Sequence, residues 1–208
     1  VGDSPKRYSF MECSVPDTVP DSVYEGALAV ILDTSAKALI SDDRYTLAKE
    51  TLRIDHHIFI EKICTVEVVD TTFESCCGMI AEFARESELR LNTSAARALF
   101  TGMVTDSGRF RFSSVTGETL RLAAMMLDLG VDTDTLYARL YLEDFDYFRF
   151  KSWVYGQMKI SEHGVAYLRV TSEDAERFSL SFEEACNAVS FLDSIKGSII
   201  WIAFIDAP

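Results

Sequence analysis

Three short apolar runs in the first seventy residues each end at a carboxylate. They are Ala27 to Leu32 before Asp33, Leu52 to Ile54 before Asp55, and Thr65 to Val69 before Asp70. Their length and polar flanks are typical of strands in a parallel sheet, in which both faces of a strand are buried. Ligands bind outside the carboxyl ends of the strands in open α/β sheets. The pattern therefore predicts a parallel sheet with acidic groups along its carboxyl edge.

Apolar residues at helical spacing dominate the middle of the chain, and they predict flanking helices. The predicted helices cover Ser75 to Glu88, Asn92 through Met103, Thr116 to Leu129, Asp132 or Thr133 through Leu140, and Asp144 to about Met158. In the first of them, Met79, Ile80, Phe83 and Ala84 share one face. Asn92-Thr93-Ser94 is typical of a helix cap. The fold class is therefore α/β, with helices packed against a parallel sheet.

A different pattern begins after Gly156. Lys159 to Glu162 and Val165 to Val170 predict a β-hairpin around His163-Gly164, and His163 is interpreted as a solvated turn residue. A helix from about Phe182 to Ile195 and a strand from Ser198 to Ile205 follow. We predict a first domain over 1–145, a connecting helix over 146–157, and a smaller, incomplete α/β domain over 158–208.

Composition narrows the range of partners. The chain has 208 residues, 48% of them hydrophobic, and a formal net charge of -13. This charge argues against binding of duplex DNA, which needs clustered Lys and Arg, but it does not exclude a small anionic substrate. The sequence contains neither an apolar run long enough to span a bilayer nor a signal-peptide pattern. We expect a cytoplasmic protein without a membrane partner, and a homodimer stays open.

The histidines suggest where chemistry takes place. The chain has three, and two of them, His56 and His57, follow Asp55 at the end of an apolar strand. Imidazole and carboxylate together suit Mn, Fe or Zn better than Mg or Ca. Adjacent residues of a regular strand point to opposite faces, so the two imidazoles reach one site only if the strand has ended. The alternative is a pair of partly buried histidines satisfied by hydrogen bonds.

Two further residues extend this candidate metal site. Asp106 leaves an apolar helical segment at a Gly-containing turn, where its alternative role is to terminate the helix. Arg109 follows it closely, and a guanidinium is a natural bidentate partner for phosphate. Asp70 is interpreted as a capping or loop residue.

Three segments resemble motifs of the DHH phosphoesterase family. They are Asp33-Thr34-Ser35, Ile54-Asp55-His56-His57 and Gly102-x-x-x-Asp106-Ser107-Gly108-Arg109-Phe110. Their order and spacing are similar to the second, third and fourth motifs of the family. The closest resemblance is to small bacterial enzymes that degrade short oligoribonucleotides, dephosphorylate adenosine 3',5'-bisphosphate, and cleave linear or cyclic di-adenylate.

The resemblance implies a centre of two metal ions, usually Mn2+, that activates water for in-line attack on phosphorus. Asp33 would bridge the ions, and His56 and Asp106 would complete the shell of one of them. Asp55 would lie behind the metal-bound imidazole and orient it. His57 would face the scissile phosphate and stabilise its developing charge, and Arg109 would help to hold phosphate.

Two parts of the family pattern are missing from the sequence. The first motif, of the type His-x-x-x-Asp-x-Asp-x-x-Gly-Ser, would precede Val1, and nothing in residues 1–21 replaces it. A Gly-Gly-Gly-His segment of the DHH-associated domain would follow Pro208. We therefore expect the chain to be part of a longer protein that is active, whereas this stretch alone is weak or inactive.

Three functions fit the motifs. The first is a phosphodiesterase or phosphatase acting on short oligoribonucleotides, on linear or cyclic dinucleotides such as pApA, and on adenosine 3',5'-bisphosphate. The second is a pyrophosphatase or exopolyphosphatase on the same centre. The third is a catalytically dead relative that binds nucleotides.

Overall fold

The chain folds into two compact units that divide between Leu140 and Tyr141. A computed structural model describes residues 8–11, 19–193 and 195–206. Most of the stretch 1–21, where the sequence offers no substitute for the first motif, lies outside these residues. The observed division precedes the predicted boundary at residue 145. The segment predicted as a connecting helix over 146–157 belongs to the second unit.

The sheet of the first unit has three parallel strands in the order β1-β2-β3. The strands are β1 (Leu28–Leu32), β2 (Glu50–Asp55) and β3 (Val66–Val69). Leu32 pairs with Ile54, and Asp55 pairs with Val69. Because the strands are parallel and in this register, Asp33, His56 and Asp70 leave the sheet at the same edge. The predicted parallel sheet with carboxylates at its end is confirmed.

The prediction that the strands are buried on both faces is wrong for β1. Leu28, Val30 and Leu32 of β1 are 58%, 46% and 43% exposed. Alternate residues of a strand point to opposite faces. Only the face that carries Ala29 and Ile31 packs against a small core, made of Tyr45, Ile63 and Cys64.

Four α-helices follow the sheet in the described part of the first unit, close to their predicted positions. They are α1 (Cys76–Glu86), α2 (Thr93–Asp106), α3 (Gly117–Asp128) and α4 (Thr133–Tyr141). Asn92 caps α2 through its side chain, as predicted, and Asp132 accepts a hydrogen bond from the Thr135 N–H at the start of α4. Phe83, predicted on the buried face of α1, is 57% exposed. The helix instead buries Met79 and the small residues Ala81 and Ala84.

The second unit combines helices with a mixed sheet. Its elements are α5 (Phe145–Gln157), β4 (Lys159–Ile160), β5 (Val165–Val170), α6 (Ser172–Arg177), α7 (Phe182–Cys186), a 3-10 helix (Asn187–Leu192) and β6 (Ile200–Ile205). The hairpin β4–β5 is confirmed, and β6 adds to β5 in parallel. The helix predicted over 182–195 is shorter, because the α-helix ends at Cys186 and the chain continues as the 3-10 helix to Leu192.

Aromatic packing holds α5 inside the second unit. Phe150 is fully buried, and its ring lies 5.9 Å from that of Trp153 and 5.5 Å from that of Phe178. Phe145 and Phe148 on the same helix are 76% and 55% exposed. The aromatic residues of α5 that pack in this core are therefore Tyr147, Phe150 and Trp153. No helix in the described part of the chain combines the length and apolarity needed to cross a bilayer.

A glycine sets the distance between α1 and α2. A Cβ added at Gly102 would lie 2.9 Å from the Cβ of Cys77 and closer still to its sulfur. Gly102 is one turn before Asp106 on α2. The absence of a side chain at this position therefore fixes where the C-terminal end of α2 lies.

We expect Gly102→Ala to lower the free energy of unfolding by about 1–3 kcal/mol, because the methyl group overpacks the contact with Cys77. Urea unfolding measures the change. Gly156→Ala on α5 is the matched control, because no described atom lies within 4 Å of its added Cβ. It should leave stability unchanged or raise it by up to about 1 kcal/mol. Equal losses in the two variants would contradict this account.

Candidate metal centre

Asp33 is the first residue after β1. Its N–H donates to the Ile54 carbonyl at 3.1 Å, which continues the strand pairing by one residue. Its φ is +57°, a left-handed conformation that Asp tolerates better than most residues. The turn leaves its carboxylate 56% exposed at the carboxyl edge of the sheet.

His56 leaves the end of β2 with one ring nitrogen engaged. Its Nδ1 lies 3.3 Å from the carbonyl oxygen of Phe73, in the loop between β3 and α1. Because a carbonyl can only accept, this contact assigns the proton to Nδ1. In the neutral ring, Nε2 then carries a lone pair, and the side chain is only 14% exposed.

Asp106 is the last residue of α2 and precedes an unusual turn. Gly108, Arg109 and Phe110 all have positive φ, between +59° and +64°. The turn is held by Arg109 N–H donating to the Val104 carbonyl at 2.7 Å and by Phe110 N–H donating to Ser107 Oγ at 2.8 Å. Burial raises the pKa of the Asp106 carboxyl, and Asp33 raises it further, while His56 and His57 oppose the shift.

These elements bring three predicted ligands together. His56 Nε2 lies 3.0 Å from Asp106 Oδ2 and 3.5 Å from Asp33 Oδ1. Ligand atoms of Asp33, His56 and His57 also lie within 4.8 Å of one another. His56 Nε2 is buried and makes no hydrogen bond to any described residue. A lone pair facing two carboxylates lacks a positive partner, and this donor set fits a divalent transition metal ion.

Asp55 holds His57 rather than His56. Its Oδ1 lies 2.8 Å from His57 Nδ1 and accepts the His57 backbone N–H at 3.2 Å. The expectation that Asp55 orients the metal-facing imidazole is therefore wrong. Among the described contacts, Asp55 Oδ1 bonds His57 and Oδ2 bonds Arg53, and neither oxygen bonds the His56 ring. The Phe73 carbonyl takes that role.

Asp55 and His57 each change the pKa of the other. The hydrogen bond to Asp55 raises the pKa of His57, against the effect of burial. Burial alone would raise the pKa of Asp55, but hydrogen bonds from Arg53 and His57 lower it overall. The pair therefore favours a charged imidazolium beside a charged carboxylate.

Sequence reasoning missed Arg53, which lies beneath this pair. Its guanidinium is fully buried and donates from Nη2 to Asp55 Oδ2 at 2.5 Å. A signal was present, since a charged residue interrupts an apolar strand two positions before Asp55, on the same face. The Phe73 carbonyl was also missed, because a backbone acceptor leaves no trace in residue type.

The remaining candidates are placed as follows. Arg109 lies in the left-handed turn, three residues beyond Asp106, and is exposed. Asp70 accepts hydrogen bonds from the N–H and the hydroxyl of Thr72, which confirms its role in the loop. The His163 side chain is 84% exposed, as predicted for a turn.

Sequence comparison relates the chain to two bacterial enzymes that carry the same name. The chain is 30% identical over 193 residues to the bifunctional oligoribonuclease and PAP phosphatase NrnA of Bacillus subtilis, covering 91% of this chain and 62% of the relative. It is 29% identical over 210 residues to the NrnA of Mycoplasma genitalium, covering 99% of this chain and 65% of the relative. The chain thus spans less than two thirds of these curated relatives. No family model matches it.

A solved structure shares the fold. An exopolyphosphatase-related protein from Bacteroides fragilis superposes with a TM-score of 0.80 at 22% identity, covering 93% of this chain and 61% of that protein. This likeness supports the α/β architecture of the described residues.

We expect Asp55→Asn to lower the free energy of unfolding of the first unit by about 1–3 kcal/mol near neutral pH, because it removes one of the two carboxylates that pair with the buried Arg53. The pKa of Asp55 is lowered on folding, so its stabilisation is complete above the unfolded value of about 3.9. It is lost as the pH falls through the folded value. The gap between wild type and variant should therefore narrow below about pH 4.

Urea unfolding, followed through the amide NMR signals of β2 at about pH 7 and about pH 3, measures this gap. Asp70→Asn is the matched control, since Asp70 directly follows the neighbouring strand and its side chain bonds only to Thr72 among the described residues. A gap that is the same at both pH values would contradict the role given to the Asp55 charge.

Proposed function

Because this chain belongs to the DHH phosphoesterase family, we propose that it acts as a metal-dependent hydrolase of short nucleotide phosphates. The proposed substrates are short oligoribonucleotides, linear or cyclic dinucleotides such as pApA, and adenosine 3',5'-bisphosphate. The names of the relatives, oligoribonuclease and PAP phosphatase, support this substrate class.

The observation that carries the proposal is the buried, unpartnered Nε2 of His56 between two carboxylates. In this arrangement Asp33, His56 and Asp106 would hold Mn2+, whose preference for imidazole and carboxylate matches the donor set. When bound, such cations lower the pKa of water and neutralise charge on phosphoryl oxygens.

The carboxylates also make binding of substrate conditional. Asp33 and Asp106 are 56% and 45% exposed and would repel a phosphate that approached them alone. A phosphate can therefore enter only when positive charge compensates these two groups. The net charge of -13 strengthens this dependence, since the chain as a whole does not attract anions.

The role proposed for His57 is to act on the phosphate directly. Its Nδ1 is taken by Asp55, and the raised pKa of the ring extends the pH range over which it is positively charged. With Nδ1–H donated to Asp55, the ring can donate only its Nε2 proton. We infer that His57 stabilises the negative charge that develops on the phosphoryl group, as preorganised donors do at such sites. Arg109 is proposed to help hold phosphate.

Assays with Mn2+ on three substrates test the proposal, and they use the longer protein of which the sequence analysis expects this chain to be a part. Release of AMP from pApA, and of inorganic phosphate from adenosine 3',5'-bisphosphate and from pyrophosphate, is measured side by side. We expect higher kcat/KM for both nucleotides than for pyrophosphate. Hydrolysis of pyrophosphate alone would contradict the proposed substrate class and favour a pyrophosphatase.

Asp33→Asn and His56→Gln provide the site-specific arm of this test. Each should lower kcat by more than the roughly 10- to 100-fold typical of residues behind a metal ligand. Circular dichroism should show little change, because neither side chain belongs to the core. Asp43→Asn, at an exposed carboxylate, is the matched control and should retain activity. Undiminished turnover in Asp33→Asn would overturn the metal assignment.

A further inference from the structure

Arg53 is a charged side chain in an unusual position. It lies in the central strand β2 and has no exposed surface. Burial of a guanidinium is strongly unfavourable unless it is paired and hydrogen-bonded. A well-packed apolar residue is often as good for stability as a buried ion pair. The contacts of Arg53 therefore need a reason other than stability.

Three acceptors fix the guanidinium. Nη2 donates to Asp55 Oδ2 at 2.5 Å, and Nη1 donates to Glu67 Oε2 at 3.2 Å and to the Glu61 carbonyl at 3.1 Å. The ring of Phe59 also lies over the group, with its centroid 5.6 Å from Cζ. Asp55 lies in β2, Glu67 lies in β3, and Phe59 and Glu61 lie in the loop between these strands. The guanidinium therefore has little freedom to rotate.

Glu67 is itself anchored. It is the direct register partner of Arg53 on β3, and its Oε1 accepts the backbone N–H groups of Ile63 and Cys64, both at 2.6 Å. The loop that follows the histidines is thus tied to the sheet through the same carboxylate that holds Arg53.

The two carboxylate oxygens of Asp55 bond different residues. Oδ2 accepts from Arg53, while Oδ1 accepts from the backbone and the ring of His57. The carboxylate cannot rotate without breaking the contact with Arg53. The direction of the His57 ring therefore depends on Arg53 through Asp55.

We propose that Arg53 is a positioning residue for the phosphoesterase reaction, and that it acts by locking Asp55 in the orientation that holds the His57 ring through Nδ1. The inference rests on the proposed function and adds a residue to it. This role requires the planar guanidinium of Arg, because its separate N–H groups reach Asp55 and Glu67 at the same time. A Lys ammonium cannot bond both carboxylates in the same geometry.

Imidazole NMR tests the locking without any substrate. The chain has three histidines, so long-range proton–nitrogen spectra can be assigned, and the exposed His163 serves as an internal reference. At a pH high enough for the His57 ring to be neutral, wild type should show its single proton fixed on Nδ1. Arg53→Lys and Arg53→Met should give exchange-averaged His57 signals and leave His163 unchanged. A His57 spectrum that is identical in Arg53→Lys and in wild type overturns the proposal.

Kinetics with pApA and Mn2+ provide the second readout. Arg53→Lys should lower kcat by about 10- to 100-fold with KM little changed, as expected for a residue that orients a catalytic group. Arg44→Lys is the matched control, because Arg44 also bonds a carboxylate, that of Asp42, through its fork. It should keep wild-type kcat. A parallel rise of KM and loss of thermal stability in Arg53→Lys, with kcat retained, would show a purely structural role.

The two readouts separate the proposals. If wild type hydrolyses none of the nucleotides, the proposed function fails, while the NMR comparison still decides whether Arg53 fixes His57. If wild type is active and both Arg53→Lys readouts match it, the proposed function stands and the positioning role is refuted.

Discussion

Uncompensated negative charge at the carboxyl edge of a parallel sheet is the constraint on which this structure depends. Asp33 and Asp106 both lie within 3.5 Å of His56 Nε2, a buried atom that makes no hydrogen bond to a described residue. Carboxylates and a lone pair at this separation repel one another unless positive charge lies between them. The proposed function is the simplest resolution of that repulsion.

The end of β2 places His56 beside the carboxylates and Asp55 beside Arg53. His56 emerges on one face and meets the end of α2, whose approach to α1 is set by Gly102. Asp55 emerges on the other face, where Arg53 pairs with it below the surface. One strand thus presents an imidazole to the carboxylate cluster and, one residue later, a second imidazole held by a buried ion pair. Both histidines follow the end of β2 at Asp55, and their ring centroids lie 4.6 Å apart.

Much of the candidate site could be predicted from the sequence, because apolar runs that end in Asp identify both the strands and their exposed ends. The roles of Asp55 and Arg53 could not. Which histidine Asp55 holds depends on the backbone direction after β2, and the acceptors of Arg53 come from β3 and a loop. Positive φ at Arg109 and Phe110 has no signature in residue type. Helix α6 is short and rests on the reciprocal capping of Thr171 and Asp174, too local a signal for periodicity.

Anomalous diffraction at the manganese edge, from crystals of the protein grown with Mn2+, tests the central claim most directly. The account predicts a peak in coordinating contact with His56 Nε2 and with the carboxylates of Asp33 and Asp106. Manganese bound only elsewhere, or these three side chains turned away from one another with Mn2+ in excess, would contradict it.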